Sequence, residues 1–258
     1  MKTKTRIILP AVLGLALFSA SLRAQDSIEA QSTKSGKMFN LVLARGGSLS
    51  KMGTLPSWGG PNPSLIDASR NGDIPGVKAA LAKGADVNAG AKVGMTALVV
   101  AAVYDKLDVA KLLIAAGANA NAVDAYGKTA LMWATAGEAA DVVKILIDAK
   151  ADVNAVTKQG MTALMFAAVY EKPDVAKLLI AAGANVNAAD EDGMTALMWD
   201  VQSAGDKAID VAKILIDAKA DVNAVDKDGE TALMLAAQSS GAKAVDVVNL
   251  LVAAGANR

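Results

Sequence analysis

The sequence predicts an all-α repeat solenoid of about six units, and three observations support this prediction. The triplet Thr-Ala-Leu recurs, beginning at residues 96, 129, 162, 195 and 231, at intervals of 33, 33, 33 and 36. A second string, Gly-Ala-Asx-x-Asn-Ala or a variant with Lys at its start, recurs in phase at 84–89, 117–122, 150–155, 183–188 and 219–224. Between these strings lie two apolar segments with helical spacing, and neither could bury its apolar face without a neighbouring copy.

Each unit is expected to contain two helices and a turn, as the second unit illustrates. Thr96 is a candidate N-cap for a helix from Ala97 to about Asp105, and Asp108 is a candidate N-cap for a second helix. One face of that second helix carries Val109, Leu112, Leu113 and Ala116. Gly117 suits the left-handed position that ends a helix, and the polar stretch after it is typical of turns.

Period and motif together resemble the ankyrin repeat, whose 33-residue unit carries Thr-Pro-Leu-His-x-Ala. The resemblance covers residues 63–258 and implies a domain of stacked helix pairs with hairpin loops. The first unit lacks the Thr-Ala-Leu turn but keeps the second string, as expected of an N-terminal cap. The predicted units are 63–93, 94–126, 127–159, 160–192, 193–228 and 229–258.

The chain departs from the family pattern at several positions. Ala replaces the Pro of the motif throughout, and Met or Val replaces its His. Lys150 and Lys219 stand where Gly is expected, and the last two units carry three extra residues around 203–209 and 239–245. Asp200 occupies a position where the family buries Ala, and nothing in the sequence explains it.

Residues 1–24 match the three-part pattern of a secretory signal peptide. A basic start precedes an apolar run of 14 residues, 7–20, which is shorter than the ~20 needed to span a bilayer comfortably. Cleavage is expected after Ala24, with Ser21 as second choice, and an uncleaved membrane anchor is the alternative. The cleaved chain would carry 22 basic and 26 acidic residues, a net charge of −4, and no stable membrane insertion.

Residues 25–62 match neither repeat string, and we interpret them as a mostly disordered leader. They are rich in Ser, Gly and Lys, and Pro56 and Pro61 lie near their end. One short apolar island interrupts them, at residues 38–44. The alternative is that this island docks on the first repeat and shields its outer face.

Composition excludes several kinds of chemistry. The chain has no Cys and no His, so thiolate metal sites, Ser-His-Asp triads and Cys nucleophiles are impossible. Its 26 basic and 26 acidic residues give no surplus positive charge for nucleic acid. The paired acids Glu191-Asp192 and Asp226/Asp228 fall in predicted turns, where we interpret them as solvated. We therefore expect no catalytic residue, metal or cofactor, and no enzymatic activity.

The resemblance implies that a protein partner is held along the concave face, by hairpin tips and the first helix of each unit. Two sets of positions map there: residues flanking the hairpin glycines together with the late positions of the first helices, and a row of large apolar side chains on those helices. Aromatic residues recur among them, which favours binding because aromatic side chains dominate interaction hot spots. The alternatives are coincidence for the tyrosines and space-filling between helices for the row. The candidate protein-binding residues are Tyr104, Tyr126, Lys128, Trp133, Gln159, Met161, Phe166, Tyr170, Glu191, Met194 and Trp199.

These inferences predict an exported, monomeric scaffold that binds a protein partner. The periplasm of a Gram-negative bacterium is the expected compartment, and extracellular release is the alternative. A narrower form of the hypothesis is an accessory subunit or inhibitor of an exported enzyme. The rival hypothesis is a glycan or cell-wall binding protein whose aromatic strip stacks on sugar rings.

If the signal-peptide interpretation is correct, the exported protein begins at Gln25, or at Leu22 when the second site is used. N-terminal sequencing of the protein recovered outside the inner membrane measures this directly. An exported chain that still begins with Met1 would contradict cleavage.

Overall fold

The computed structural model describes residues 63–137, 139–203, 208–238 and 244–257. The predicted signal peptide, leader and apolar island lie outside the described residues. Within them, twelve α-helices follow one another as six pairs, which confirms the all-α repeat solenoid. The pairs are α1 Pro63–Asn71 and α2 Ile74–Ala82; α3 Ala97–Val103 and α4 Leu107–Ala115; α5 Ala130–Ala136 and α6 Ala140–Asp148; α7 Ala163–Val169 and α8 Pro173–Ala181; α9 Ala196–Ser203 and α10 Ala208–Asp217; α11 Ala232–Gln238 and α12 Ala244–Ala253.

The first helices of units two to six begin at the threonine of each Thr-Ala-Leu triplet. The Thr96 hydroxyl accepts a hydrogen bond of 3.3 Å from the Val99 N–H, as expected of an N-cap. The same bond recurs at residues 129, 162, 195 and 231. Helix α3 is buried over its whole length, and at seven residues it is too short to be stable alone in water. Its stability therefore comes from packing against neighbouring units.

The second helices differ in two details from the sequence prediction. Helix α4 begins at Leu107, so Asp108 lies inside its first turn and the prediction that it caps the helix is wrong. There its negative charge faces the positive end of the helix dipole, which favours the acid without a capping bond. The buried face is formed by Val109 and Leu113, whereas Leu112 is half-buried and Ala116 exposed. The leucines equivalent to Leu113 are fully buried in every later unit: Leu146, Leu179, Leu215 and Leu251.

Two helical layers run along the stack. Each first helix packs on the first helix of the next unit, each second helix on the next second helix, and the two helices of a unit on each other. The core lies between the layers, where Met132, Met165 and Met198 are fully buried at the position of the family's His. Flexible methionine side chains fill the gap between units there, as a soft apolar residue can.

Five asparagines tie each unit to the next on the side of the helix-ending loops. The Asn154 amide donates to the Gly183 carbonyl at 3.1 Å, and its Oδ1 accepts from the Asn185 N–H at 2.7 Å. Asn88, Asn121, Asn187 and Asn223 make the same two bonds to the units that follow them. One side chain therefore satisfies both a loop N–H and a helix-end carbonyl of its neighbour.

Two lysines occupy left-handed positions at the ends of second helices. Lys150 has φ of 63° and Lys219 of 69°, where the equivalent Gly117 and Gly183 have 86° and 90°. A side chain in this conformation is strained, because Cβ crowds the following carbonyl. The carbonyls of both lysines accept from the asparagine of the preceding unit, so their backbone conformation is fixed by the stack.

Replacing Lys150 and Lys219 with Gly is expected to raise the free energy of unfolding by about 1 kcal/mol each, because glycine adopts this conformation without strain. Urea unfolding followed by circular dichroism measures the change. Lys177→Gly, in the middle of α8, is the control and should lower stability by about 1 kcal/mol. A lower urea midpoint for the double variant would contradict the assignment of strain to these two residues.

Candidate protein-binding face

The hairpin between units is organised by one side chain. The Asp124 carboxylate accepts hydrogen bonds from the Tyr126 and Lys128 N–H groups through Oδ1, at 2.8 and 2.9 Å. Asp190 and Asp226 make the same pair of bonds in later hairpins, and the Thr157 hydroxyl makes them in the hairpin between the third and fourth units. Each tip is held in one conformation by this arrangement, which is the Asx or Ser/Thr turn.

Successive hairpins bond to one another through their main chains. The Lys158 N–H donates to the Tyr126 carbonyl at 3.1 Å, and the Glu191 N–H to the Gln159 carbonyl at 2.9 Å. The pairs 125 to 93 and 227 to 192 repeat the bond. Gly160 allows this approach, since it has φ of 79° and a Cβ there would lie 2.9 Å from the Glu191 nitrogen. We call residues 125–128, 158–161, 191–194 and 227–230 the hairpin face; its side chains stand in fixed register.

The row of large side chains on the first helices lies beneath this face and is covered. Trp133 is 4% exposed, Phe166 5% and Trp199 9%. The Trp133 indole N–H donates to Asp124 Oδ2 at 3.0 Å, and that of Trp199 to Asp190 Oδ2 at 2.8 Å. Each of these two tryptophans therefore stabilises the hairpin before its helix. Their burial agrees better with the space-filling interpretation of the row than with an open aromatic strip.

Lys128 closes the face over two of these rings. Its ammonium lies 4.4 Å from the ring centroid of Trp133 and 4.9 Å from that of Phe166, within cation–π range. Phe166 in turn stacks on Tyr170, with ring centroids 6.4 Å apart. Burial lowers the pKa of Lys128, and the Asp124 carboxylate opposes that shift.

The structure divides the predicted binding residues by exposure. Gln159 and Glu191 are exposed, while Tyr126, Lys128, Met161 and Tyr170 are half-buried. Tyr104, Trp133, Phe166, Met194 and Trp199 are buried. The expectation of an accessible Tyr104 is wrong: its side chain is 6% exposed, and burial raises the pKa of its hydroxyl. The accessible part of the predicted set therefore lies at the hairpin tips and at Tyr170.

The bond between the hairpin acid and the tryptophan was not among the features predicted from the sequence. A signal for it exists, because Asp124 and Trp133, like Asp190 and Trp199, are nine residues apart. The hairpin between the third and fourth units has Thr157 in place of the acid and Phe166 in place of the tryptophan, so both are lost together there. The spacing is only a partial signal, because Asp226 keeps its hairpin bonds although Leu235 stands nine residues on.

No group of three or more acidic side chains that could hold a metal ion occurs among the described residues, and no described helix is long and apolar enough to cross a membrane. The turn acid Asp226 accepts two main-chain hydrogen bonds, which accounts for it without a ligand.

Comparison with known proteins identifies the family to which this fold belongs. The family model described as ankyrin repeats in three copies matches residues 65–157, 140–226 and 164–257, which together span most of the chain. The chain belongs to the ankyrin-repeat family. An ankyrin repeat domain from Acinetobacter baumannii AYE, solved by crystallography, is 31% identical, with a TM-score of 0.68 over 75% of this chain and 98% of that one. No curated protein matches the chain.

Membership of the ankyrin-repeat family fixes the coarse function. Ankyrin repeats mediate interactions between proteins, and the fold is typically a non-catalytic interaction module. In this ankyrin-repeat chain, the burial of Trp133, Phe166 and Trp199 leaves little ring surface on which a sugar could stack. Of the aromatic strip on which the glycan-binding hypothesis depends, only the half-buried Tyr126 and Tyr170 are accessible.

Proposed function

We propose that this chain is an exported ankyrin-repeat scaffold that binds a protein partner through its hairpin face and Tyr170. The observation that carries the proposal is the continuous main-chain bonding from hairpin to hairpin, which fixes the tips before any partner arrives. A surface ordered in advance loses little conformational entropy on binding, so more of its contact energy appears as affinity.

The charges of the hairpin face suggest what the partner presents. Lys128 and Lys158 make hairpins 125–128 and 158–161 the basic half of the face. Hairpins 191–194 and 227–230 form the acidic half, through Glu191, Asp192, Asp228 and Glu230, with Lys227 as the one opposing charge. A partner would then carry acidic groups opposite the former and basic groups opposite the latter, since complementary charge sets register and specificity.

Apolar contact would come from the half-buried side chains in the basic half of the face. Tyr126 and Met161 flank their hairpin glycines, and Tyr170 stacks on Phe166 at the edge of the same surface. Tyrosine buries a large area at small entropic cost and is frequent at interaction hot spots. We therefore infer that the basic half anchors the partner and that the acidic half orients it.

The proposed compartment is the periplasm, with extracellular release as the alternative. Support comes from the signal-peptide pattern of residues 1–24 and from a cysteine-free sequence that folds alike in oxidising and reducing surroundings. Within this compartment, an accessory subunit or inhibitor of an exported enzyme is the narrower proposal. We expect the scaffold itself to be monomeric.

The double variant Tyr126→Ala with Lys158→Ala is expected to weaken partner capture by at least tenfold, since it removes an aromatic anchor and a neighbouring charge. Stability should change little, because the hydrogen bond between these two residues joins main-chain atoms and survives the substitutions. Quantitative pulldown of a tagged chain from the envelope fraction, followed by mass spectrometry, measures capture, and thermal unfolding checks the fold.

The matched control is Lys111→Ala with Lys177→Ala, two exposed lysines on the second-helix layer. This variant should retain the same partners at wild-type yield. If the control loses the partners while the hairpin variant keeps them, the binding surface lies on the second helices and the proposal is wrong.

A further inference from the structure

A single carboxylate interrupts the apolar core of the fifth unit. Asp200 lies on α9 and is 0% exposed. The equivalent residues of the other full units are Ala101, Ala134, Ala167 and Ala236, all buried. Neither carboxyl oxygen of Asp200 has a hydrogen-bond partner among the described residues. A buried ionised carboxylate without partners is strongly unfavourable, so this side chain must be either neutral or a source of local instability.

The groups around Asp200 do not offset that cost. Glu171, just after α7, acts on the Asp200 carboxyl through its negative charge, which disfavours ionisation. The Ser203 hydroxyl donates to the main-chain carbonyl of Asp200 at 2.7 Å and lies 3.4 Å from Glu171 Oε1, so it does not reach the Asp200 carboxyl. The Ala212 amide on α10 favours the ionised form without reaching hydrogen-bond geometry.

The other charged residues of the packed elements are Lys172 after α7, the exposed Asp210, Lys213 and Asp217 on α10, and Glu230 before α11; α11 itself carries none. Asp206 and Lys207 lie outside the described residues.

We propose that Asp200 makes the fifth unit a pH-sensitive joint, whose helices α9 and α10 open locally more readily as the pH rises from mildly acidic to neutral. The joint lies within the acidic half of the hairpin face, because hairpin 191–194 precedes α9 and hairpin 227–230 follows α10. Opening there would uncouple these two acidic hairpins from each other. This inference stands apart from the proposed binding role, because the side chain lies in the core.

The sign of the effect follows from proton linkage. Burial, with a smaller contribution from Glu171, raises the pKa of Asp200 well above its ordinary value of 3.8. Opening exposes the carboxyl to water and lets it ionise, so a proton is released whenever the pH lies between the two pKa values. The opening constant should then rise by up to about tenfold per pH unit, and level off above the pKa of the closed state. At pH values below the ordinary carboxyl pKa of 3.8, the opening constant should not vary with pH.

Native-state hydrogen exchange of the full chain, resolved to individual amides by NMR and corrected for intrinsic rates, tests the joint. Between about pH 4 and pH 7 the opening constants of α9 and α10 should rise several-fold or more in the wild type. Asp200→Ala restores the residue of the other units, so it should abolish this rise and slow exchange in both helices. The joint does not exist if the wild type and Asp200→Ala show the same pH dependence, or if the variant opens more readily than the wild type.

A second variant tests whether a carboxylate at the equivalent site of another unit produces the same pH-dependent opening. Ala134→Asp places a carboxylate at the equivalent site of unit three, where Asp105 stands in the preceding unit as Glu171 does for Asp200. It should give α5 and α6 a pH-dependent opening like that of α9 and α10. If the opening of α5 and α6 in this variant does not depend on pH, burial of a carboxylate is not the cause of pH-dependent opening. If this variant does not fold, the comparison of Asp200→Ala with the wild type still decides.

Discussion

An asparagine at the end of each helix pair reaches the loop of the next pair, and the fold depends on this contact between neighbours. The first helices of the full units are seven or eight residues long and buried on nearly every side, so no unit can form by itself. The Asn154 side chain meets both an N–H and a carbonyl of the following unit. Because the asparagine bonds recur at each junction, hydrogen bonding and apolar packing stabilise the same interfaces between units. The stability of the domain therefore comes mainly from these interfaces and not from the individual units.

The proposed binding face is a consequence of the same stacking. Hairpins emerge at the spacing of the helices below them, and their main chains bond to one another because glycines such as Gly160 leave room. Asp124 links the hairpin to the first helix beneath it. One of its carboxylate oxygens accepts hydrogen bonds within the hairpin tip, and the other accepts a hydrogen bond from Trp133 in the helix. A partner thus meets a surface whose order is already determined by the core. Asp200, a buried acid without a hydrogen-bond partner among the described residues, breaks this uniformity and lies in the unit between the two acidic hairpins.

Periodicity made most of the architecture predictable from the sequence. The threonine caps, the pairing of helices and the left-handed Lys150 all follow from aligning one unit on the next, because equivalent positions have equivalent neighbours. The misplaced Asp108 and Leu112 show the limit of that method, since adjacent positions on a helix differ by about 100° and a pattern alone does not resolve which one faces the core. The burial of Tyr104 was beyond prediction, because exposure depends on side chains from two units at once.

The most direct test removes the asparagine hydrogen bonds at one junction and compares the loss of stability with that caused by removing a hydrogen bond inside a unit. Asn154→Ala removes two bonds between units three and four, whereas Asn185→Ala removes a bond within one loop, from the Asn187 N–H, and leaves the junction intact. Urea unfolding of both variants should show Asn154→Ala destabilised by about 1–3 kcal/mol and by more than Asn185→Ala, from the ordinary net value of a hydrogen bond. An Asn154→Ala variant as stable as the wild type, or more stable than Asn185→Ala, would contradict the claim that the junctions hold the solenoid together.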